Sequence, residues 1–177
     1  LVRLQQDGLD GRPVPLRFVV KSTPSSMHSF YEISSMLGDG PFCLTTVDTI
    51  FREDEFARYV SAFREAVDGG EADGLMGVTD YIDDEKPLYV ETTDGMDITA
   101  FLDRSETCRY ISGGIYGLTP VAIRTLQGCI CRGESRMRNF QRALIADGCR
   151  LKAWPFLKVL DIDHAGDIVK AEGFIAG

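Results

Sequence analysis

Aspartates at the ends of apolar runs are the first chemistry-bearing pattern in the chain. Thr45-Thr46-Val47-Asp48-Thr49-Ile50-Phe51 carries one carboxylate where the apolar stretch Pro41–Val47 stops. If that stretch is a strand of a parallel sheet, Asp48 lies at the sheet's carboxyl edge, where open α/β sheets bind ligands. A carboxylate there can hold Mg²⁺, a hard cation that takes one or two protein oxygens and leaves its other positions to water and phosphate. An aspartate that merely caps the following turn is the alternative. A second cluster is Val159-Leu160-Asp161-Ile162-Asp163-His164-Ala165-Gly166-Asp167. In a strand, Asp161 and Asp163 fall on one face, and two such carboxylates repel unless a cation or donor sits between them. Asp163 can equally cap a following helix, with Asp167 serving its dipole. The third pattern, Ser112-Gly113-Gly114-Ile115-Tyr116, places two glycines in a strand-like run. It implies a bulge, a close approach of backbone to ligand, or a plain bend in the sheet. The two histidines, His28 and His164, form no grouping with serine or cysteine that suggests a triad.

Positioning these residues takes a regular alternation of elements. Leu16–Val20 reads as a strand, followed by a helix entered through Ser22, Thr23 and Pro24 and carrying Met27, Phe30, Tyr31, Ile33 and Leu37 at helical spacing. Pro41–Val47 is apolar enough for a central strand of a parallel sheet. Arg52–Val67 is an amphipathic helix with Phe56, Tyr59, Val60, Phe63 and Val67 inward, and Ala72–Val78 a third strand. This βαβαβ rhythm predicts an α/β fold with helices on both faces of the sheet. Residues 88–92 and 98–102 flank Asp94-Gly95, a hairpin signal. A strand from Arg109, a helix from Pro120 towards Leu126 and a helix over Ser135–Ala146 follow. A strand pair, Arg150–Trp154 with Leu157–Ile162, and a last helix over Ala165–Phe174 complete the reading.

Bulk properties narrow the function classes. A chain of 177 residues with 44% hydrophobic and 26% charged residues suits one soluble globular domain. The net charge of −8 argues against nucleic acid unless a local basic patch exists. The nearest such group, Arg132, Arg136, Arg138 and Arg142, reads as the wet face of a helix, with phosphate binding the lesser alternative. No run approaches the ~20 apolar residues of a membrane span, and no secretory signal is visible. Five scattered cysteines, with Cys129 and Cys131 forming an isolated C-x-C, read as idle thiols in a reducing cytoplasm.

Taken in order, the pieces resemble the NTP-transferase family. It comprises sugar-1-phosphate nucleotidyltransferases, cytidylyltransferases and molybdenum-cofactor-type enzymes, built on a glycosyltransferase-A-like sheet. Pro15–Leu37 resembles the family's strand and Thr/Ser-initiated helix beneath the nucleotide, which involves Thr23. Pro41–Phe51 resembles the stretch ending in the first metal-binding aspartate, Asp48. Ile111–Pro120 is similar to the Asn-Ala-Gly-Ile-Tyr stretch of the sugar pocket, here Ser112, Gly113 and Gly114. Val159–Ala171 resembles the Val-Asp-Thr-Pro-Glu-Asp-Leu close, whose aspartate maps to Asp163. There are departures. Ser112 replaces the asparagine, and His164-Ala165-Gly166 replaces Thr-Pro-Glu. The family's phosphate-contacting Glu-Lys pair has Asp103-Arg104 as its candidate. The glycine-rich Gly-x-Gly-x-Arg loop that grips the triphosphate is absent from these residues, and the chain opens on Leu1.

The resemblance implies a glycosyltransferase-A-like, Rossmann-like three-layer fold with a mixed, mainly parallel sheet. Residues 1–177 would form one domain that starts partway into a longer protein, beyond its first strand and glycine-rich loop. The implied activity is Mg²⁺-dependent coupling of an NTP to a sugar 1-phosphate or similar acceptor, releasing pyrophosphate. Asp48 and Asp163, with Asp161 beside them, would hold the metal, and Ser112, Gly113, Gly114, Arg104 and Thr23 would line the substrates. Two alternatives are an inactive nucleotide- or sugar-phosphate-binding module of the same fold, and a glycosyltransferase. The latter would usually show Asp-x-Asp at the strand end, where this chain has Ile50.

Overall fold

The computed structural model describes residues 17–81, 86–157, 160–161 and 173, with 160 and 161 described through their backbone. Asp163, His164 and the helix expected over 165–174 lie outside the described residues. The chain runs through α1 (Ser26–Ser34), β1 (Phe42–Thr45), β2 (Thr49–Ile50), α2 (Glu53–Asp68), β3 (Gly74–Thr79), β4 (Tyr89–Thr92) and β5 (Ile98–Leu102). It continues through β6 (Tyr110–Leu118), α3 (Val121–Cys131), α4 (Met137–Ala146), β7 (Leu151–Phe156) and β8 (Leu160–Asp161).

The main sheet has the order β5-β4-β6-β3-β7, and β1 pairs with the free stretch of β6 next to β4. β6 is antiparallel to β1, β3 and β4, whereas β7 is parallel to β3. Four of the six strands, β1, β3, β4 and β7, therefore point one way, and β5 and β6 oppose them. This is the expected mixed sheet, with one change in its interior. β1 and β3 keep the common direction of a crossover unit, but the long strand β6 is inserted between them. Most pairings are antiparallel for that reason.

Alternation along the strands separates two cores. Met76, Val78, Tyr116, Leu118, Leu151 and Ala153 face Met27 and Phe30 of α1, Leu126 of α3 and Phe140 and Leu144 of α4. Leu75, Ile115 and Phe156 face Tyr59 and Phe63 of α2. The result is the three-layer arrangement that period-2 strands and amphipathic helices require. Each fully buried large side chain contributes about 1.5–3 kcal/mol of transfer free energy. On the α2 face, a Cβ at Gly117 would stand 2.8 Å from the Phe63 ring and the Tyr59 hydroxyl oxygen, so glycine lets the helix sit close. The Tyr59 hydroxyl donates to the Leu75 carbonyl at 2.6 Å, and burial raises its phenol far above the ordinary range.

Some elements differ from the sequence reading. Arg17–Val20 forms no strand; Phe18, Val19 and Val20 are exposed, because an apolar run without a pairing partner gains neither ladder nor burial. β1 is not a central strand of a parallel sheet. Among the described residues it pairs with β6 alone, and Cys43 and Thr45 are exposed. Among the described residues, Arg150–Trp154 does not pair with the segment expected over Leu157–Ile162. β7 pairs with β3, carries Pro155 on the side away from it, and hands the chain on to β8, which pairs with β2. The hairpin at Asp94-Gly95 forms as expected between β4 and β5.

Candidate functional site

The common direction of β1 and β3 brings Asp48 to a carboxyl edge of the sheet. The turn carrying it is pinned from two sides. The Thr46 N–H donates to the Gly114 carbonyl at 3.3 Å, and the Thr46 and Thr49 hydroxyls bond to each other. Val47 in between is fully exposed, while Asp48 is half-buried. Asp48 lies in the turn itself, caps no helix and has no basic partner among the described residues.

Opposite this turn lies the double glycine. Residues 77 and 78 of β3 pair with 115 and 112 of β6, so Gly113 and Gly114 are extra residues in a bulge, as their sequence suggested. Gly114 has φ 71°, and a Cβ there would meet Thr49 Oγ1 at 2.7 Å and Thr46 Oγ1 at 3.0 Å. The close approach that demands glycine is thus made by the 46–49 turn of the protein itself. Gly113 is buried within the strand.

An open cleft of about 350 Å³ forms above this junction. Its wall includes Asp48 and Thr46 from the turn, Ser112 and Gly114 from β6, Lys86 ahead of β4, and Arg136, Arg138 and Gln141 at the start of α4. Ser112 Oγ donates to Gln141 Oε1 at 3.0 Å, and Gln141 is buried, which fixes the hydroxyl in the wall. Arg138 spans Asp103 at 2.7 Å and the Lys86 carbonyl at 3.0 Å, so it fastens the Lys86 backbone to α4. Arg136 stands at φ 76° and ψ 139°, backbone that an L side chain adopts only under strain. Its N–H donates to Ser25 Oγ at 3.3 Å, and its guanidinium has no carboxylate partner among the described residues.

Several expected site residues stand elsewhere. Thr23 bonds the Ser25 carbonyl and the Ser29 hydroxyl at the entry to α1, outside the cleft wall. Arg104 is exposed in the turn after β5, and neighbouring Asp103 is occupied by Arg138 and Arg142. Lys86, which follows Glu85 in sequence, occupies the cleft in place of Arg104. The arginine cluster divides: Arg132 pairs with Glu134, Arg142 reaches Asp103 and the Phe101 carbonyl, and only Arg136 and Arg138 line the cleft. Their position at the start of α4, not on its outer face, was the unread signal. The backbone of Asp161 lies opposite Thr49, one residue from Asp48.

Asp48 fits the donor pattern of Mg²⁺: a half-buried hard oxygen ligand, without ammonium or guanidinium partners among the described residues, facing a polar cleft with room for phosphate. No cluster of three or more histidine, cysteine, aspartate or glutamate side chains occurs among the described residues. All five thiols are free, and no helix among the described residues is long and apolar enough to cross a membrane.

No protein-family model and no curated protein matches the chain by sequence. Solved structures do match its fold. The inositol-1-phosphate CTP transferase from T. maritima superposes with a TM-score of 0.67 at 20% identity, over 86% of this chain and 64% of that one. A protein assigned as a glucose-1-phosphate thymidylyltransferase from Bacillus anthracis, in complex with a sucrose, gives 0.72 at 14% identity, over 89% and 64%. UDP-glucose pyrophosphorylase complexed with UDP-glucose gives 0.66 at 15%, over 87% and 62%. The chain thus spans a little under two thirds of the length of these proteins. It has the mixed α/β fold on which these nucleotidyltransferases are built.

Proposed function

We propose that the protein couples an NTP to a phosphorylated acceptor, such as a sugar 1-phosphate, with release of pyrophosphate. One observation carries this reading: a carboxylate without a basic partner among the described residues and three cationic side chains line one cleft at the carboxyl edge of a nucleotidyltransferase-type sheet. Asp48, together with Asp163 and Asp161, would hold Mg²⁺. When bound, that ion supplies charge neutralisation between the phosphates. Lys86 and Arg136 offer N–H donors to the acceptor phosphate, and Arg138 keeps the Lys86 backbone in place. Ser112 and the Gly114 backbone form the wall against which the acceptor's uncharged part would lie. An acceptor phosphate oxygen attacks the α-phosphorus in line, one P–O bond forms, and the bond to the pyrophosphate leaving group breaks. Little covalent work falls to the chain; positioning and electrostatics carry the rate.

The test is Asp48→Asn in the full-length protein. We expect kcat for pyrophosphate release to fall by about two or more orders of magnitude, as loss of a positioned charge does. The melting temperature should stay nearly unchanged, because Asp48 makes no structural bond among the described residues. Activity retained in this variant would sink the assignment.

A further inference from the structure

Helix α2 buries a stripe formed by Glu55, Tyr59, Phe63 and Ala66. Three of these suit a core, and the carboxylate does not. Glu55 is only 5% exposed; its Oε1 accepts the Leu157 N–H at 3.0 Å, and its buried Oε2 has no hydrogen-bond partner among the described residues. Burying a carboxyl group with one oxygen unsatisfied is unfavourable, and an apolar residue would pack against Tyr59 at no such cost. Local rules broken in this way mark positions that serve something other than stability.

The location of the bond shows what it serves. Leu157 directly follows β7, where the chain leaves the main sheet to run as β8 beside β2. Glu55 lies in the first turn of α2, which begins just after β2. The two chain segments that form the β2–β8 ribbon are thus tied twice, by the pairs Thr49–Asp161 and Ile50–Leu160 and by the bond from Glu55 to Leu157. A two-residue ladder is short, and a tether across a sequence separation of 102 residues restricts how it can shift.

We infer that Glu55 is a positioning residue: through Leu157 it holds the backbone of residues 160–161 in register against Thr49 and Ile50, and so fixes the turn from which Asp48 meets a divalent cation. The inference rests on the metal role proposed for Asp48. The test uses full-length wild type, Glu55→Ala, Glu55→Gln and Asp48→Asn. Mn²⁺ affinity is read by electron paramagnetic resonance, and the amide exchange of Leu157 is read separately. In Glu55→Ala, Mn²⁺ affinity falls about 10- to 100-fold, the usual effect of losing a group that orients ligands, and the Leu157 amide exchanges faster. In Glu55→Gln, the side-chain carbonyl still accepts from Leu157, and both readouts return close to wild type. Equal losses in the two Glu55 variants would show that the charge acts directly, and would overturn the positioning role. Wild-type Mn²⁺ affinity in Glu55→Ala, with the site still abolished by Asp48→Asn, would remove this inference alone. Mn²⁺ binding indifferent to Asp48→Asn would remove the metal reading and this inference with it.

Discussion

Gly114 and Arg136 are the two cleft residues whose backbones carry the most information. At Gly114, φ 71° and the threonine hydroxyls beneath it leave no space for a Cβ. Gly114→Ala should therefore open the 46–49 turn. We expect a stability loss of about 1–3 kcal/mol by denaturant titration, the usual size for a residue forced into disfavoured backbone, and weaker ligand binding alongside it. An alanine variant of wild-type stability would mean that the turn is not held against the bulge. Arg136 presents the opposite balance. Its side chain occupies a backbone conformation suited to glycine. Arg136→Gly should keep or raise the melting temperature by relieving that strain, while weakening binding of inorganic phosphate or a sugar phosphate about tenfold. A variant that binds phosphate as well as wild type would take Arg136 out of the proposed site.

At the scale of elements, β5 and α4 are joined through Asp103, which receives Arg142 at 2.8 Å and Arg138 at 2.7 Å. The hydrogen bond from Arg142, then that from Arg138, holds the Asp103 carboxyl below the ordinary carboxylate range. A group depressed in the folded state adds stability above its unfolded value, about 3.9 for aspartate, and loses it as the pH falls through the folded value. Asp103→Asn should lower the melting temperature at pH 7 and flatten its decline between about pH 5 and pH 2. Part of the decline should persist, because Asp73 beside Arg150 and Asp97 beside Lys152 are held low in the same way. Melting curves that fall in parallel would show that the bridge contributes nothing. This bridge also marks what the sequence could and could not tell. Asp48 after an apolar strand and Gly113-Gly114 within one were readable, because strand ends and bulges are written in neighbouring residues. Lys86, Arg138 and Glu55 were not, since their meaning depends on which distant segment each meets: Arg138 on residue 86, Glu55 on residue 157. The insertion of β6 beside β1 was hidden for the same reason. An apolar run in Phe42–Thr45 reports burial but not the neighbour that supplies it, and Arg17–Val20 shows that such a run need not be a strand at all.

Over the whole molecule, β6 connects the two cores. Tyr116 and Leu118 point into the face covered by α1, α3 and α4, and Ile115 into the face covered by α2. Packing lost on one side should therefore be felt on the other, because β3, β6 and β7 each send side chains into both cores. Trp154, the only tryptophan, packs against the α2-side core from β7. Phe140 on α4 is fully buried in the opposite core, in edge contact with Phe30 at a centroid distance of 5.6 Å. Phe140→Ala removes this contact and leaves a cavity that the surrounding helices fill only in part, at a cost of about 3–5 kcal/mol. If the sheet couples its faces, Trp154 fluorescence and far-ultraviolet circular dichroism should report one coincident transition in wild type. Both should shift to lower denaturant by the same amount in the variant, although Trp154 lies in the other core. A fluorescence midpoint that stays in place while the helical signal shifts would show that α2 and its strand face unfold as a separate unit. The cleft would then rest on a junction between two independently stable parts, since Asp48 follows β1 directly and Arg136 belongs to α4. Coincident transitions would instead place both walls of the cleft on one cooperative body, as a site that works by fixed positioning of phosphates requires.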